Sequence, residues 1–381
     1  MKFSTKAIKI GQEPDPATGA TIIPIYQTST YTQESIGVNK GYEYSRSGNP
    51  TRTAFEKCLA SLENGRHGLA FASGLAAEHA TLMLLKPGDH IIAAKDIYGG
   101  TYRLFEQVFR DLNILATYTN GTDPNEIEES ITPATRMVWV ESPSNPLLNI
   151  LDIEQVSAIC RKHHLLHVVD NTFASPYFQN PLDLGADIVI HSTTKYIGGH
   201  SDVVGGAIVV NDDGYYSRLK FLQNAMGGVP GPFDCWLALR GLKTLALRME
   251  KHQENAFAVA RFLAGNINID DVYYPGLPDH KNYDIAAKQM KGFGGMVTFR
   301  IKGDINTTRA LLENLDLFSL AESLGGVESL ANFPAKMTHG SIPKEIREKN
   351  GITENLIRLS VGIEDKEDLI NDLKNAFAKV F

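Results

Sequence analysis

Between Thr51 and Trp236 the chain repeats one pattern, a short run of branched or small apolar residues followed by a stretch with helical spacing. The apolar runs are "HIIAA", "MVWVES", "LHVVDN", "DIVIHS" and "GAIVV". Strands separated by helices are joined by crossovers, so they lie parallel, and a parallel sheet is covered on both faces. The predicted architecture of this region is therefore α/β with a mostly parallel sheet.

One repeat is legible in detail. Asp152 stands where a side chain can cap "IEQVSAICRKHH", Ile153, Val156 and Ile159 fall at helical spacing, and Lys162, His163 and His164 close the last turn, where positive charge suits the dipole. The following "LLHVV" reads as a buried strand ending at Asp170.

The flanks differ. The first fifty residues, through "TGATIIPIYQTSTY" and "GYEYSRSGNPTR", are rich in Gly, Thr, Ser and Pro without a helical period, and are expected to form an extended arm. Past "GPFDCW", the amphipathic stretch "LRGLKTLALRMEKHQENAFAVARFLAGN" is long enough for a spine joining two domains. After it, "GMVTFRI" reads as a strand with alternating faces, "TTRALLENL" as a helix and "IRLSVGI" as another strand. The closing "KEDLINDLKNAFAKVF" carries Leu369, Leu373, Phe377 and Val380 as an apolar stripe. The expected organisation is an arm over 1–50, a larger domain over 51–236 and a smaller α+β C-terminal domain over 237–381.

A chain of 381 residues, 43% of them hydrophobic, can fill two such cores. Its net charge of -7, with basic residues scattered, gives no footprint for nucleic acid. The start, "MKFSTKAIKIGQEPDP", has no apolar leader core, and no run approaches the roughly 18 apolar residues of a membrane span, so no membrane partner and a cytoplasmic address are expected. Cys58, Cys160 and Cys235 lack CxxC spacing and read as buried small hydrophobes.

Ligands of an open parallel sheet collect beyond the carboxyl ends of the strands. Polar residues cluster there at Ser73 and Gly74 in "FASGLAAEHA", at Glu141 to Asn145 in "ESPSNP", at Asp170 and Asn171, and at Ser192 to Lys195 in "HSTTK". A carboxylate such as Asp170 is costly to bury without a positive partner, although alone it also suits a cap for the next segment. An acid and an amine on the same edge together meet the needs of pyridoxal phosphate, whose pyridine nitrogen is kept protonated by a carboxylate and whose aldehyde condenses with a lysine. "SGLAA" offers backbone N–H groups at a helix N-terminus for the phosphate, and Ser192 and Thr194 add hydroxyls. Competing chemistries lack their motifs: there is no Gly-Lys dipeptide, no GxSxG and no HExxH. His163 and His167 straddle a predicted helix-to-strand junction, so no metal site is expected.

The segments "GYEYSRSGNPTR", "FASGLAAEHA", "DIYGGTYR", "ESPSNPLL", "VVDNTFASPYFQNPLDLGADIVIHSTTKYIGGHSDVVGG", "AESLGGVESL", "MTH" and "IRLSVGIED" resemble the motifs of the Cys/Met-metabolism pyridoxal-phosphate enzymes, the cystathionine γ-lyase and γ-synthase group. The similarity runs from about residue 5 to the C-terminus. It implies the aminotransferase-like, fold type I architecture. It implies Lys195 as the amine bound to pyridoxal 5'-phosphate and as proton shuttle, Asp170 as partner of the ring nitrogen and Tyr98 as the ring's stacking partner. Gly74, Leu75, Ser192 and Thr194 would hold the phosphate, with Tyr44 and Arg46 reaching it from a neighbouring subunit of a homotetramer. Arg358 would bind the substrate carboxylate, Asn145 and Ser323 would support cofactor and carboxylate, and Glu43, Arg103 and Glu322 would face the distal part of a sulfur amino acid. The implied reaction is cleavage of cystathionine to cysteine, 2-oxobutanoate and ammonia, with Glu322 favouring a γ-acting member. The alternatives are γ-synthase or β-lyase chemistry, or, from another class, a non-catalytic binding protein on the same sheet.

Overall fold

The computed structural model describes residues 1–120, 122–340 and 342–381. Seven strands form the larger sheet: β1 (His67–Phe71), β2 (His90–Ala94), β3 (Leu115–Thr119), β4 (Thr135–Glu141), β5 (Leu166–Asp170), β6 (Ile188–Ser192) and β7 (Gly206–Val210). Their spatial order is β1-β7-β6-β5-β4-β2-β3. β3, β2, β4, β5 and β6 pair in parallel, and the central β4 to β6 are buried almost throughout, as their unbroken apolar runs require.

"GAIVV" departs from the parallel expectation: β7 runs antiparallel to both β6 and β1. The reason is local. The connection from Ser192 to Gly206 holds no helix, so the chain turns back on itself without a crossover. That connection carries Lys195. Strands β1 and β3, "HGLAF" and "LATYT", lie at the two edges and lack the branched apolar runs that reveal the inner strands. After β3 the chain returns past β2 to place β4, so the winding reverses between β2 and β4, the position where such sheets leave a crevice.

The helix Ile153–His163 forms as expected, with Asp152 Oδ1 accepting the Gln155 N–H at 3.0 Å. His164 does not belong to its last turn. With φ 55° it is the left-handed cap that turns the chain into β5.

The arm is not wholly extended. Residues Phe3–Lys9 form a helix, because Ala7 buries against Cys58 and Leu59 of the helix Pro50–Leu62 and Phe3 meets Tyr177 edge-on at 5.0 Å. From Ile10 to Asn49 there is neither helix nor strand, only bridges such as Thr30 with Tyr44. The spine is two helices, Pro232–Leu242 and Leu245–Ala264. Buried Arg248 reaches across the break, donating to Gly241 O at 2.8 Å and to Tyr196 O at 2.7 Å, so the joint also grips the residue after Lys195. Leu245 and Met249 pack in the core of the larger sheet, while Val259 and Leu263 pack in that of the smaller one.

The smaller sheet contains β8 (Ile269–Tyr273), β9 (Met296–Ile301), β10 (Ser319–Leu320), β11 (Leu330–Asn332) and β12 (Leu356–Ser360), in the order β10-β11-β12-β9-β8. β9 alternates, yet both faces are covered except at Arg300, which is partly exposed and pairs with Asp271. Val297, Phe299 and Ile301 join the helices Leu245–Ala264 and Lys366–Val380 in one core, and Thr298 on the other face donates to Pro146 O at 2.7 Å. β12 follows the same rule: Ile357 and Leu359 enter that core, which turns Arg358 the opposite way, towards the larger sheet. Leu369, Leu373 and Phe377 are buried as expected, with Val380 at the margin. All three cysteines are buried, and burial pushes the Cys58 and Cys160 thiols up to about 12.

Candidate active site

Lys195 sits in the loop after β6, and the loop is shaped by its own backbone. Thr193 N–H donates to Gly205 O at 2.9 Å, and Gly199 N–H donates to Lys195 O at 2.8 Å. Gly325, with φ 79°, lets the segment carrying Ser323 lie against this loop: a Cβ there would stand 2.7 Å from Tyr196 N and 3.0 Å from the Lys195 carbonyl carbon. Ser323 itself has φ 94°, a strained position for a residue with a side chain, and it places Oγ 2.8 Å from Lys195 Nζ. Burial first, and the Arg358 guanidinium second, push the Lys195 amine down to about 8.

Asp170, at the carboxyl end of β5, accepts the Thr172 N–H at 2.8 Å and lines the same cavity, whose volume is about 300 Å³. Among the described residues no lysine or arginine forms an ion pair with it. Burial raises its carboxyl above the usual range. On the phosphate side, Ser73 caps the helix Gly74–Leu82 by accepting the Ala76 N–H at 3.0 Å, and the first-turn N–H groups of Gly74 and Leu75 open on the cavity. Any Cβ at residue 74 would crowd the Ser192 Cβ at 3.1 Å. Ser192 and Thr194 both line the cavity, but the Thr194 hydroxyl is engaged with Gly205, donating to its O at 3.2 Å and accepting from its N at 3.0 Å.

Tyr98 starts the helix Gly99–Leu104, and its N–H donates to Glu141 Oε1 at 2.8 Å. Its ring occupies space that a side chain at Gly100 would fill, since a Cβ there would lie 2.3 Å from it. Arg358 also lines the cavity, is 1% exposed and has no carboxylate partner among the described residues. Its Nη1 donates to Asn145 Oδ1 at 2.8 Å and its Nη2 to Ser323 O at 2.9 Å, while Nε has no partner. Burial pushes it down to about 10. Asn145 thus orients the arginine, and Glu322 stands on the same wall.

Four of the predicted site residues lie outside this cavity lining in the single chain. Glu43 Oε1 accepts from Asn39 at 2.6 Å, Tyr44 is 44% exposed, and the Arg46 guanidinium lies 5.2 Å over the Tyr44 ring with Nε 3.3 Å from Asn224. Arg103 projects from the Tyr98 helix and acts on the Tyr98 hydroxyl through its charge. The structure adds residues that sequence reasoning left without a role: Glu78, Glu141, Thr172 and Thr338 line the cavity. Burial, reinforced by the charge of Asp170, holds Glu78 and Glu141 well above the carboxylate range. Glu141 was legible as a strand-end acid. Glu78, four residues past Gly74 inside an apolar helix, carried only its spacing as a signal.

The cavity therefore offers a lysine amine and a guanidinium without a carboxylate partner, both meeting Ser323, with a carboxyl along the same sheet edge as the lysine and helix N–H groups with a hydroxyl. Those are the fittings of pyridoxal phosphate carrying an amino acid. A profile of the family described as Cys/Met metabolism PLP-dependent enzyme matches residues 4–378. The chain belongs to this family. Its members depend on pyridoxal phosphate, and so does this protein. It is 54% identical to a cystathionine beta-lyase of Coxiella burnetii, over 98% of this chain and 97% of the relative. It is 52% identical to a cystathionine gamma-synthase of Mycobacterium leprae, over 98% of this chain and 96% of the relative. The crystal structure of a cystathionine gamma-lyase from Lactobacillus plantarum complexed with L-serine superimposes with a TM-score of 0.97 at 47% identity, covering 100% of this chain and 99% of that one. The family's mostly parallel sheet with a second sheet beside it is the architecture expected from the sequence. No helix among the described residues is long and apolar enough to cross a membrane.

For a family member the depressed lysine has a direct consequence. Only the neutral amine attacks an aldehyde, so the cofactor-free protein should capture added pyridoxal phosphate at a rate that rises with pH through a midpoint of about 8 rather than the ordinary 10.5. Stopped-flow absorbance across pH 6 to 11 reads this, and a midpoint at the ordinary lysine value would refute the account of burial and Arg358 given above.

Proposed function

We propose that the protein is a carbon–sulfur lyase of transsulfuration that cleaves cystathionine at the γ-carbon, giving cysteine, 2-oxobutanoate and ammonia with the uptake of one water. The observation that carries the reading is the placement of Glu322 on the same wall as Arg358 and within the field of Lys195. Arg358 accepts the proximal carboxylate of the amino acid through its unengaged N–H groups. Glu322 is then left to face the distal end, where cystathionine carries an ammonium group and a simpler amino acid carries nothing for a carboxylate to hold.

Lys195 would bind the cofactor, Asp170 would hold its ring nitrogen, Tyr98 would cover its ring, and Ser192 with the N–H groups of Gly74 and Leu75 would take its phosphate, all of them lining one cavity. When bound, the cofactor supplies an electron sink for charge developing at the α-carbon. As a free amine Lys195 is buried and pushed down to about 8, close to working pH, so it would be suited to take the α-proton of a bound amino acid and to move a proton at the neighbouring carbons. Ser323 Oγ accepts from that amine at 2.8 Å, and Ser323 O accepts from Arg358, so one residue holds both groups. Burial raises the Tyr98 hydroxyl, so it stays a protonated phenol able to donate.

The arm is part of the proposal. Exposed Tyr44 and Arg46 would complete the phosphate site of a neighbouring copy, with residues 1–50 as the contacting arm, 51–236 and 237–381 as domains, and four copies in all, while Glu43 and Arg103 would face the distal substrate. Light scattering of the holoenzyme should return about four times the 41.9 kDa chain mass.

Product analysis tests the reaction. Incubation with cystathionine should yield 2-oxobutanoate in excess of pyruvate, and an acylated homoserine with cysteine should yield cystathionine more slowly. Pyruvate as the main keto acid would assign β-cleavage instead, and a faster condensation would assign the synthase. A colourless protein that takes up no pyridoxal phosphate would remove the enzymatic reading altogether.

A further inference from the structure

The reaction described above leaves Glu141 without a task. It stands at the carboxyl end of β4 as the register partner of Asp170 at the end of β5, so the two side chains leave the sheet on the same face, and both line the cavity. A buried carboxyl next to a second one is costly unless something in the fold needs it there. Among the described residues the Glu141 side chain makes one hydrogen bond: Oε1 accepts the Tyr98 N–H at 2.8 Å.

That contact joins the two strands between which the winding reverses. The chain leaves β2 at Ala94, reaches Tyr98 four residues later and enters the helix Gly99–Leu104. Asp96 Oδ2 accepts from Asn149 at 2.6 Å and from Ser144, so the start of this segment is tied to the loop after β4, and Glu141 ties its end. Tyr98 stands at the N-cap of the helix without a cap bond from its own side chain, and its ring lines the cavity. The ring also lies against the first helical turn: a Cβ at Gly100 would stand 2.3 Å from it, and one at Gly99 would stand 2.5 Å from Thr338 O. With the turn packed on both sides, the backbone position of Tyr98 sets the position of its ring.

We propose that Glu141 is a positioning residue for the cofactor: its carboxyl oxygen holds the Tyr98 backbone, and with it the Tyr98 ring, at a fixed height over the sheet edge that carries Asp170. The inference rests on the assignment of the Tyr98 ring to the cofactor ring. The task needs an acceptor and not a charge, which fits a carboxyl that burial and the charge of Asp170 hold well above the carboxylate range. A glutamine should therefore perform it. A leucine of similar size offers no acceptor, leaves the Tyr98 N–H unmet and frees the ring to tilt.

Titration of the cofactor-free protein with pyridoxal phosphate tests this, read as the dissociation constant and as the visible circular dichroism per bound cofactor. Tyr98→Ala should weaken binding about tenfold and reduce the dichroism. Glu141→Leu should weaken it about 3- to 10-fold with the same loss of dichroism, and Glu141→Gln should stay within about twofold of the parent. In the Tyr98→Ala background, Glu141→Leu should add less than about a twofold change, since there is no ring left to hold. Losses that add in the double variant overturn the inference, and so does a loss in Glu141→Gln as large as in Glu141→Leu, which would mean that the carboxyl acts through charge. A purely structural role would lower the melting temperature of Glu141→Leu while leaving its dichroism and dissociation constant unmoved, and that result also overturns it. If Tyr98→Ala binds the cofactor with parental affinity and dichroism, the assignment of Tyr98 fails and takes the inference with it. Should Glu141→Leu not fold, an ester in place of the Ile97–Tyr98 peptide removes the N–H and keeps both side chains. It should show the same losses, and parental behaviour of the ester protein overturns the inference.

Discussion

Replacing Lys195 by alanine should lower turnover of cystathionine by at least about 10³-fold, because in the proposed function one substitution would remove both the amine that binds the cofactor and the base that moves protons. The variant should nevertheless remain folded. In the cofactor-free protein Lys195 is a buried amine whose charged form is opposed by Arg358, and its single hydrogen bond goes to Ser323 Oγ. Removing it relieves a repulsion inside a low-dielectric wall, so the cofactor-free Lys195→Ala protein should melt no lower than the cofactor-free parent at neutral pH. Borohydride treatment followed by mass spectrometry should find pyridoxal phosphate attached to the parent chain at Lys195 and to no residue of the variant. Undiminished turnover, or an unchanged covalent adduct, would place the chemistry elsewhere in the molecule.

Arg358→Ala should lower kcat/KM for cystathionine by about 10²- to 10⁴-fold, the range for truncating one member of a buried, hydrogen-bonded charge pair. Arg358 has an incomplete set of partners. Asn145 and Ser323 O occupy one N–H of each Nη, Nε has none, and no carboxylate of the described chain forms an ion pair with the group, so in the proposed function a substrate carboxylate would be its missing anion. Arg358→Lys should recover little of the loss, because a lysine cannot span Asn145, Ser323 and a carboxylate with one planar fork. Cofactor content, read from absorbance, should stay near that of the parent in both variants. A loss in kcat/KM smaller than about threefold with the fold intact would show that another group binds the carboxylate.

The two predictions draw on different kinds of information. Lys195 and Asp170 can be found from the chain alone: each follows a run of apolar residues that reads as an inner strand, and the ends of such strands are where ligands gather. Arg358 has no comparable local signal. Its surroundings in "IRLSVG" read as a strand like any other, and only resemblance to a family singled it out. Ser323, whose hydroxyl meets Lys195, sits in a turn whose backbone is set by Gly325 and Ser360, the latter accepting the Gly325 N–H at 2.9 Å. Tyr44 and Arg46 show the reverse case, motifs that are conspicuous in the sequence yet lie outside the cavity of one chain.

The chain by itself determined what short-range periodicity and turn chemistry can encode: the alternation of inner strands with helices, the Asp152 cap, and the order of acid and amine along one sheet edge. It missed the edge strands, the initial helix Phe3–Lys9 and the reversed direction of β7, each of which depends on a contact or connection rather than on residue spacing. Only the tertiary structure decided that β12 turns Arg358 towards Lys195 across 163 residues of chain, and that Glu78, Glu141 and Asp170 crowd together. The physical reason is that proton affinity and unmet hydrogen bonds follow from desolvation and from neighbours distant in sequence, and these come into being only when the two sheets close over the cavity.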